Sequence, residues 1–151
     1  MPQSLSNVLV HLVFSTKNRR ADLKGRDLRK QMHRYLAGVS AKLDCPAIVV
    51  GGAEDHVHLL ARLSRTVTLA DWVKELKRAS SLWAKKKNPQ WSSFQWQAGY
   101  GAFSVSQSQS ARVQRYIESQ EERHRRSSFQ DEFRALLRRH GVAFDEQYVW
   151  D

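Results

Sequence analysis

Residues 7–16, NVLVHLVFST, are apolar at nearly every position and rich in β-branched side chains, which predicts a first strand buried on both faces and ended by the polar KNRR. Leu28, Met32, Leu36, Val39 and Leu43 then recur at helical spacing with Arg and Lys elsewhere, the pattern of an amphipathic helix. CPAIVVGG is a short apolar run with Pro46 fit for its first position, and its two glycines turn into HVHLLARL, so a hairpin of two strands is expected. In TLADWVKELKRASSLWAKKK, Thr68 and Asp71 make a capping-box-like start, and Leu69, Trp72, Val73, Leu76 and Trp83 form the buried stripe of a second helix. FQWQAGYGAFSVS predicts a last strand, bent or bulged at its internal glycines.

The order β-α-β-β-α-β is that of an α+β, ferredoxin-like split βαβ fold. It implies an antiparallel sheet with two helices on one face and the other face left for a ligand or partner. Beyond it the polar SQSQS makes residues 107–110 a hinge, followed by a helix ARVQRYIESQEER and a final helix FQDEFRALLRRHG with Gly141 as its C-cap. There is no internal repeat, and residues 1–151 read as one domain.

Composition narrows the class. A chain of 151 residues that is 41% hydrophobic can bury a sizeable core. Cys45 is the only cysteine, which excludes a disulfide within the chain and fits a reducing cytoplasm. No run reaches the ~20 apolar residues of a membrane helix, and the N-terminus lacks the pattern of a signal peptide. Charge says more: 25 Lys and Arg stand against 15 Asp and Glu, a formal net charge of +10. Between Glu75 and Glu118 there is no acidic residue, yet Lys77, Arg78, Lys85, Lys86, Lys87, Arg112 and Arg115 fall there, with Lys74 just before. Such a field attracts polyanions, so these eight side chains are the candidate nucleic-acid contacts, against the plainer reading of a solvated surface. Trp91 and Trp96, in the same interval, are candidates either for stacking on unpaired bases or for packing.

The chemistry centres on GGAEDHVHLL. His56 and His58 are two apart on a strand, so both imidazoles leave one face, roughly 7 Å apart along it, and can converge on one metal ion. Glu54 and Asp55 precede them and could orient an imidazole. Two histidines are too few for a closed zinc site and no cysteine lies near. The helix after the hinge offers Tyr116 and Gln120, four apart and so on one face, with Gln120 as the third ligand. A neutral His-His-Gln set leaves the charge of the ion uncompensated and positions open, which suits a Lewis acid acting on a phosphate. Tyr116 would then be a nucleophile that keeps a phosphodiester as a covalent ester, although Val113, Tyr116, Ile117 and Gln120 also fit an ordinary buried stripe. A phenol with a pKa near 10 needs a polarised phosphate or a base to react at neutral pH. His11 and His33 read as structural, and His124 as an outer partner of the site.

HVHLL, then YGAFSVS, then YIESQEERHR resemble the single-tyrosine HUH transposases of small bacterial insertion sequences, including relatives associated with repetitive extragenic palindromes. The resemblance runs from HLVFSTKNRR to the C-terminal tail. It implies that His56 and His58 are the HUH pair, that Gln120 completes a Mg²⁺ or Mn²⁺ site, and that Tyr116 forms a 5′-phosphotyrosine and releases a 3′-OH. It implies single-stranded DNA with subterminal hairpins as substrate, a homodimer in which the tyrosine helix often completes the partner's site, and action at the nucleoid of a bacterial cytoplasm. One departure is LKRASS in the second helix, where relatives often carry a Lys-Gly-x-Ser-Ser-like stretch. Imidazole ligands favour Mn²⁺ over Mg²⁺. Three rivals stand beside this reading. A non-catalytic nucleic-acid-binding module would need no metal, and the chain lacks an aromatic RNP-like strand. A relaxase or replication initiator would need further domains. A domesticated nuclease acting on host repeats would carry the same site.

Overall fold

The computed structural model describes residues 2–151. Four strands, β1 (Leu9–Ser15), β2 (Ala47–Gly52), β3 (His56–Arg62) and β4 (Gly101–Val105), form one sheet in the order β2-β3-β1-β4, antiparallel throughout. With α1 (Arg26–Lys42) between β1 and β2 and α2 (Leu69–Lys87) between β3 and β4, this is the expected ferredoxin-like arrangement. The central strand β1 is buried along its whole length, which explains a sequence apolar on both faces.

The alternation of β1 and β3 separates two interiors. Val10, Leu12 and Phe14 of β1 and Val57, Leu59 and Ala61 of β3 face α1 and α2, joined there by Met32, Leu36, Trp72 and Leu76. Two indoles under these helices are paired: that of Trp72 donates to Ser40 Oγ at 2.9 Å, and that of Trp96 to Ser80 Oγ at 2.9 Å. The start of α2 is as expected, with the Thr68 hydroxyl accepting from the backbone N–H of Asp71 at 3.0 Å.

The second sheet face is not left open. It is covered by α3 (Ser110–Glu118), α4 (Gln120–Arg123) and α5 (Phe129–Arg139). Ile117 of α3 packs on Leu9 and Leu60, while Phe129, Phe133, Leu136 and Leu137 of α5 pack on Val13 and Phe103. The apolar stripes of the two C-terminal helices needed a partner, and this face is where they find it.

Two local expectations change. The last strand is interrupted: Trp96 makes an isolated bridge to Thr16, and the ladder with β1 resumes only at Gly101. Between them the chain turns away, its carbonyls at 97, 98 and 99 accepting from the Lys77 ammonium at 2.8, 3.1 and 2.7 Å. The polar 107–110 segment is a single 3-10 turn over Gln107–Gln109 that runs straight into α3. The helix expected over 111–123 breaks at Ser119, whose hydroxyl donates to the Tyr116 carbonyl at 3.0 Å in place of an undisturbed helix ladder. Gly141, with φ +68, ends α5 as expected.

α3 can lie close on β2 because of Gly51. A Cβ there would stand 2.5 Å from the Ile117 carbonyl oxygen, a backbone atom that cannot swing aside. Gly51→Ala is therefore expected to destabilise the protein by about 1–3 kcal/mol by forcing α3 off the sheet. Gly38→Ala, on α1 where an added Cβ meets nothing within 4 Å, should instead stabilise by up to about 1 kcal/mol. Urea unfolding midpoints of the two variants check both signs.

Candidate active site

β3 carries His56 and His58 on the face under α3 and α5, both fully buried. Each imidazole is held through Nδ1. His56 Nδ1 lies 2.7 Å from Asp55 Oδ1, and His58 Nδ1 lies 2.8 Å from His11 Nε2, which β1 supplies from the same face. Both Nε2 atoms are thereby aimed inward, an arrangement that fixes ring orientation for a ligand. For His58 to offer an Nε2 lone pair, its proton must sit on Nδ1 and be donated to His11. Phe129 of α5 stacks on the His56 ring at 4.6 Å between centroids.

The point on which the two Nε2 atoms converge is the carboxylate of Glu132, buried in α5. Oε1 lies 3.4 Å from His56 Nε2, 3.3 Å from His58 Nε2 and 2.9 Å from His124 Nε2. Oε2 accepts from the Gln120 amide at 2.8 Å and from the Tyr116 hydroxyl. Gln120 Oε1 faces His56 Nε2 at 2.9 Å. Tyr116, His56, His58 and Gln120 thus come together, as the sequence reading expected, around an acidic residue it did not single out. Ligand atoms of His56, His58 and Glu132 all lie within 4.8 Å of one another, a donor set of two imidazoles and a carboxylate that can hold a divalent metal ion.

Burial and charge tune the groups. Burial lowers the pKa of His58 to about 4, outweighing the opposite pull of Glu132, and burial likewise lowers His11. Burial alone would raise Glu132, but hydrogen bonds from His124 and His58 hold its carboxyl well below the usual range. His124 shows the reverse balance: burial would lower it, and the bond to Glu132 raises it. Burial raises the Tyr116 phenol, and the Glu132 charge raises it further. Arg123 stacks 4.5 Å from the tyrosine ring centroid and opposes that rise.

Beside Tyr116 opens a cavity of about 600 Å³ whose rim carries Arg112, Arg115, Arg123 and Arg139. Two of the eight expected contacts, Arg112 and Arg115, therefore flank the tyrosine. The other six lie on α2, over the opposite face of the sheet. There Lys77 has its ammonium surrounded by three carbonyls, and Arg78 donates from Nε to Glu75 at 2.9 Å. Arg78 and Lys85 border a groove of about 610 Å³, Lys86 and Lys87 a separate one beside the stacked Tyr35 and Trp83, and Lys74 is exposed. Trp91 and Trp96 are core residues, so neither is free to stack on a base. Asp55 takes the orienting role foreseen for it, whereas Glu54 points to solvent.

A family described as "Transposase IS200 like" matches residues 4–120. The ISDra2 transposase TnpA of Deinococcus radiodurans is 30% identical over 118 residues, covering 75% of this chain and 84% of that protein. Among solved structures, a candidate transposase from D. radiodurans R1 superposes with a TM-score of 0.62 at 25% identity, over 80% of this chain and 96% of its own. A REP-associated tyrosine transposase bound to a REP hairpin superposes at 0.56 with 16% identity, over 79% and 69% of the two chains, a likeness of fold.

His33 of α1 is also held neutral, its pKa lowered to about 4 chiefly by burial, and its Nε2 has no hydrogen-bond partner among the described residues. A histidine held neutral when folded takes up a proton on unfolding below its unfolded pKa near 6.5, so stability falls as pH drops from about 6.5 toward 4. In metal-free buffer the urea midpoint should therefore fall between pH 7 and pH 5. His33→Leu should flatten that fall by about 1–2 kcal/mol, read from unfolding curves at the two pH values.

Proposed function

The chain belongs to the IS200-like transposase family, and on that premise we propose that it cuts and rejoins single-stranded DNA through Tyr116. The observation that carries this reading is the meeting of the Tyr116 hydroxyl and both imidazole Nε2 atoms at one buried carboxylate. Tyr116 Oη forms a bond to the scissile phosphorus as the bond to the 3′ oxygen breaks. The strand is left as a 5′-phosphotyrosine, the phenol loses its proton and the departing 3′ oxygen gains one. Because the ester conserves the phosphodiester energy, a second 3′-OH reverses the step and joins the strand to a new end.

The Nε2 atoms of His56 and His58, with Gln120 beside them, would hold a divalent ion, Mn²⁺ or Mg²⁺, which would supply Lewis acidity for polarising the phosphate. Asp55 and His11 orient the two rings, and Arg123 lies over the phenol. Arg112 and Arg115 hold the flanking backbone at the cavity rim, where they position the strand without reading its bases. The basic residues of α2 give a second nucleic-acid surface across the sheet, which suits a DNA hairpin held apart from the cut. The REP-associated tyrosine transposase that shares this fold is itself bound to a REP hairpin. Residues 107–110 serve as the hinge on which α3 adjusts to the bound strand. We place the action in the cytoplasm because the proposed substrate is DNA; separately, no described helix is long and apolar enough to cross a membrane.

Within one chain the Tyr116 and His58 ring centroids lie 5.8 Å apart, so a site assembled within one subunit of the proposed homodimer is geometrically complete. Mixing a Tyr116→Phe chain with a His56→Ala chain tests this, since restored cleavage would require sites built across subunits. The reaction itself is tested with end-labelled hairpin oligonucleotides from DNA flanking the gene, with Mn²⁺ or EDTA. A covalent adduct on denaturing gels is expected with Mn²⁺ alone. Tyr116→Phe should abolish it and lower cleavage on the order of 10³-fold or more. Shifted but uncut DNA, indifferent to EDTA, would return the protein to the class of non-catalytic binding modules.

A further inference from the structure

We propose that Glu132 is the anionic third ligand of the metal centre and that it ties the ion to the nucleophile, one carboxylate oxygen serving each. The inference rests on the metal site proposed above and changes its composition. Glu132 lies on α5, beyond the residues 4–120 that the family match covers.

Geometry separates the two oxygens. Oε1 faces the histidines, at 3.4 and 3.3 Å from the two Nε2 atoms. Ligand atoms about 2.2 Å from an ion stand roughly 3.1 Å apart across a right angle and about 3.6 Å apart in a tetrahedron. The observed separations fall between those values. Gln120 Oε1, by contrast, lies at 2.9 Å from His56 Nε2, an ordinary hydrogen-bond length, while its amide nitrogen donates to Glu132 Oε2. Gln120 therefore braces the carboxylate. Oε2 accepts from the Tyr116 hydroxyl, so a carboxylate that takes the ion through Oε1 keeps the phenol beside it through Oε2.

Charge supports the same assignment. His56, His58 and Gln120 alone would leave a divalent ion in a buried site with no anion, and burial of an uncompensated charge is costly. Glu132 is the acidic side chain aimed at that point, and only 6% of it is exposed. His124, the remaining partner of Oε1, keeps the oxygen in line with the two rings.

The test is Mn²⁺ binding to the full chain, followed by the loss of the free-ion EPR signal and by calorimetry, with far-UV CD to confirm folding. Glu132→Gln, which keeps the shape and the hydrogen-bonding reach, should weaken Mn²⁺ binding at least tenfold. Glu132→Asp should fall between it and the parent, and Gln120→Ala should stay within about threefold. Folded Glu132→Gln protein that binds within threefold of the parent overturns the inference. So does a tenfold loss in Gln120→Ala with none in Glu132→Gln. If the parent binds no Mn²⁺, or if His56→Ala changes nothing, the metal site itself falls, and that result is distinct from a failure of Glu132 alone.

Discussion

The structure depends on the two-residue period of β1 and β3. Because successive side chains of a strand leave opposite faces, the same five or six residues serve an apolar core on one side and a polar cluster on the other. Leu12, Phe14, Val57 and Leu59 close the interior under α1 and α2, while His11, His56 and His58 emerge between them onto the opposite face. A slip of one residue between β1 and β3 would bury imidazoles among leucines and aim valines at the tyrosine, so the packing of one layer sets the register of the chemistry in the other. Three histidines placed this way come pre-aligned by a backbone that the core already holds rigid.

The second constraint is the cost of burying that polar cluster. A carboxylate this deep is tolerable only when every lone pair is used, and Glu132 meets the condition with four side chains contributed by β3, α3, α4 and the turn before α5. The same contacts fasten the C-terminal helices to the sheet, where α5 brings little beyond Phe129, Phe133, Leu136 and Leu137 to hold it. The site and the docking of its cover are thus one set of bonds. Any charge that enters there, metal or phosphate, has to exchange with partners already in place.

How far the sequence spoke follows from where its signals were local. The order of elements along the chain, the α2 cap, the HVH pair and the spacing of Tyr116 and Gln120 were all legible, because each is written in the spacing of neighbouring residues. The covering of the second face was not, since α3 and α5 advertise apolar stripes without saying which surface receives them. Glu132 left a trace that could be read: it interrupts the stripe of Phe129, Phe133, Leu136 and Leu137 with an acid at a buried position. His11 left a similar one, a lone imidazole among the apolar residues of a central strand. Glu132 went unnamed and His11 read as structural because their bonded partner on β3, His58, lies 74 and 47 positions away, and only folding brings them together.

The distribution of charge follows from the same layering. A net charge of +10 could coat a protein evenly, yet here the sheet divides it. Four arginines rim the cavity beside Tyr116, where planar guanidinium groups can grip phosphates flanking a bond to be broken. The lysine-rich end of α2 lies over the other face, where flexible ammonium groups suit a duplex held by its backbone alone. Lys77 marks the boundary, its charge spent on the carbonyls of the segment that joins the two sides along the edge of β4. Were a hairpin to dock on the α2 side as proposed, a single strand leaving it past the β4 edge of the sheet would cross this break in the last strand on its way to the tyrosine.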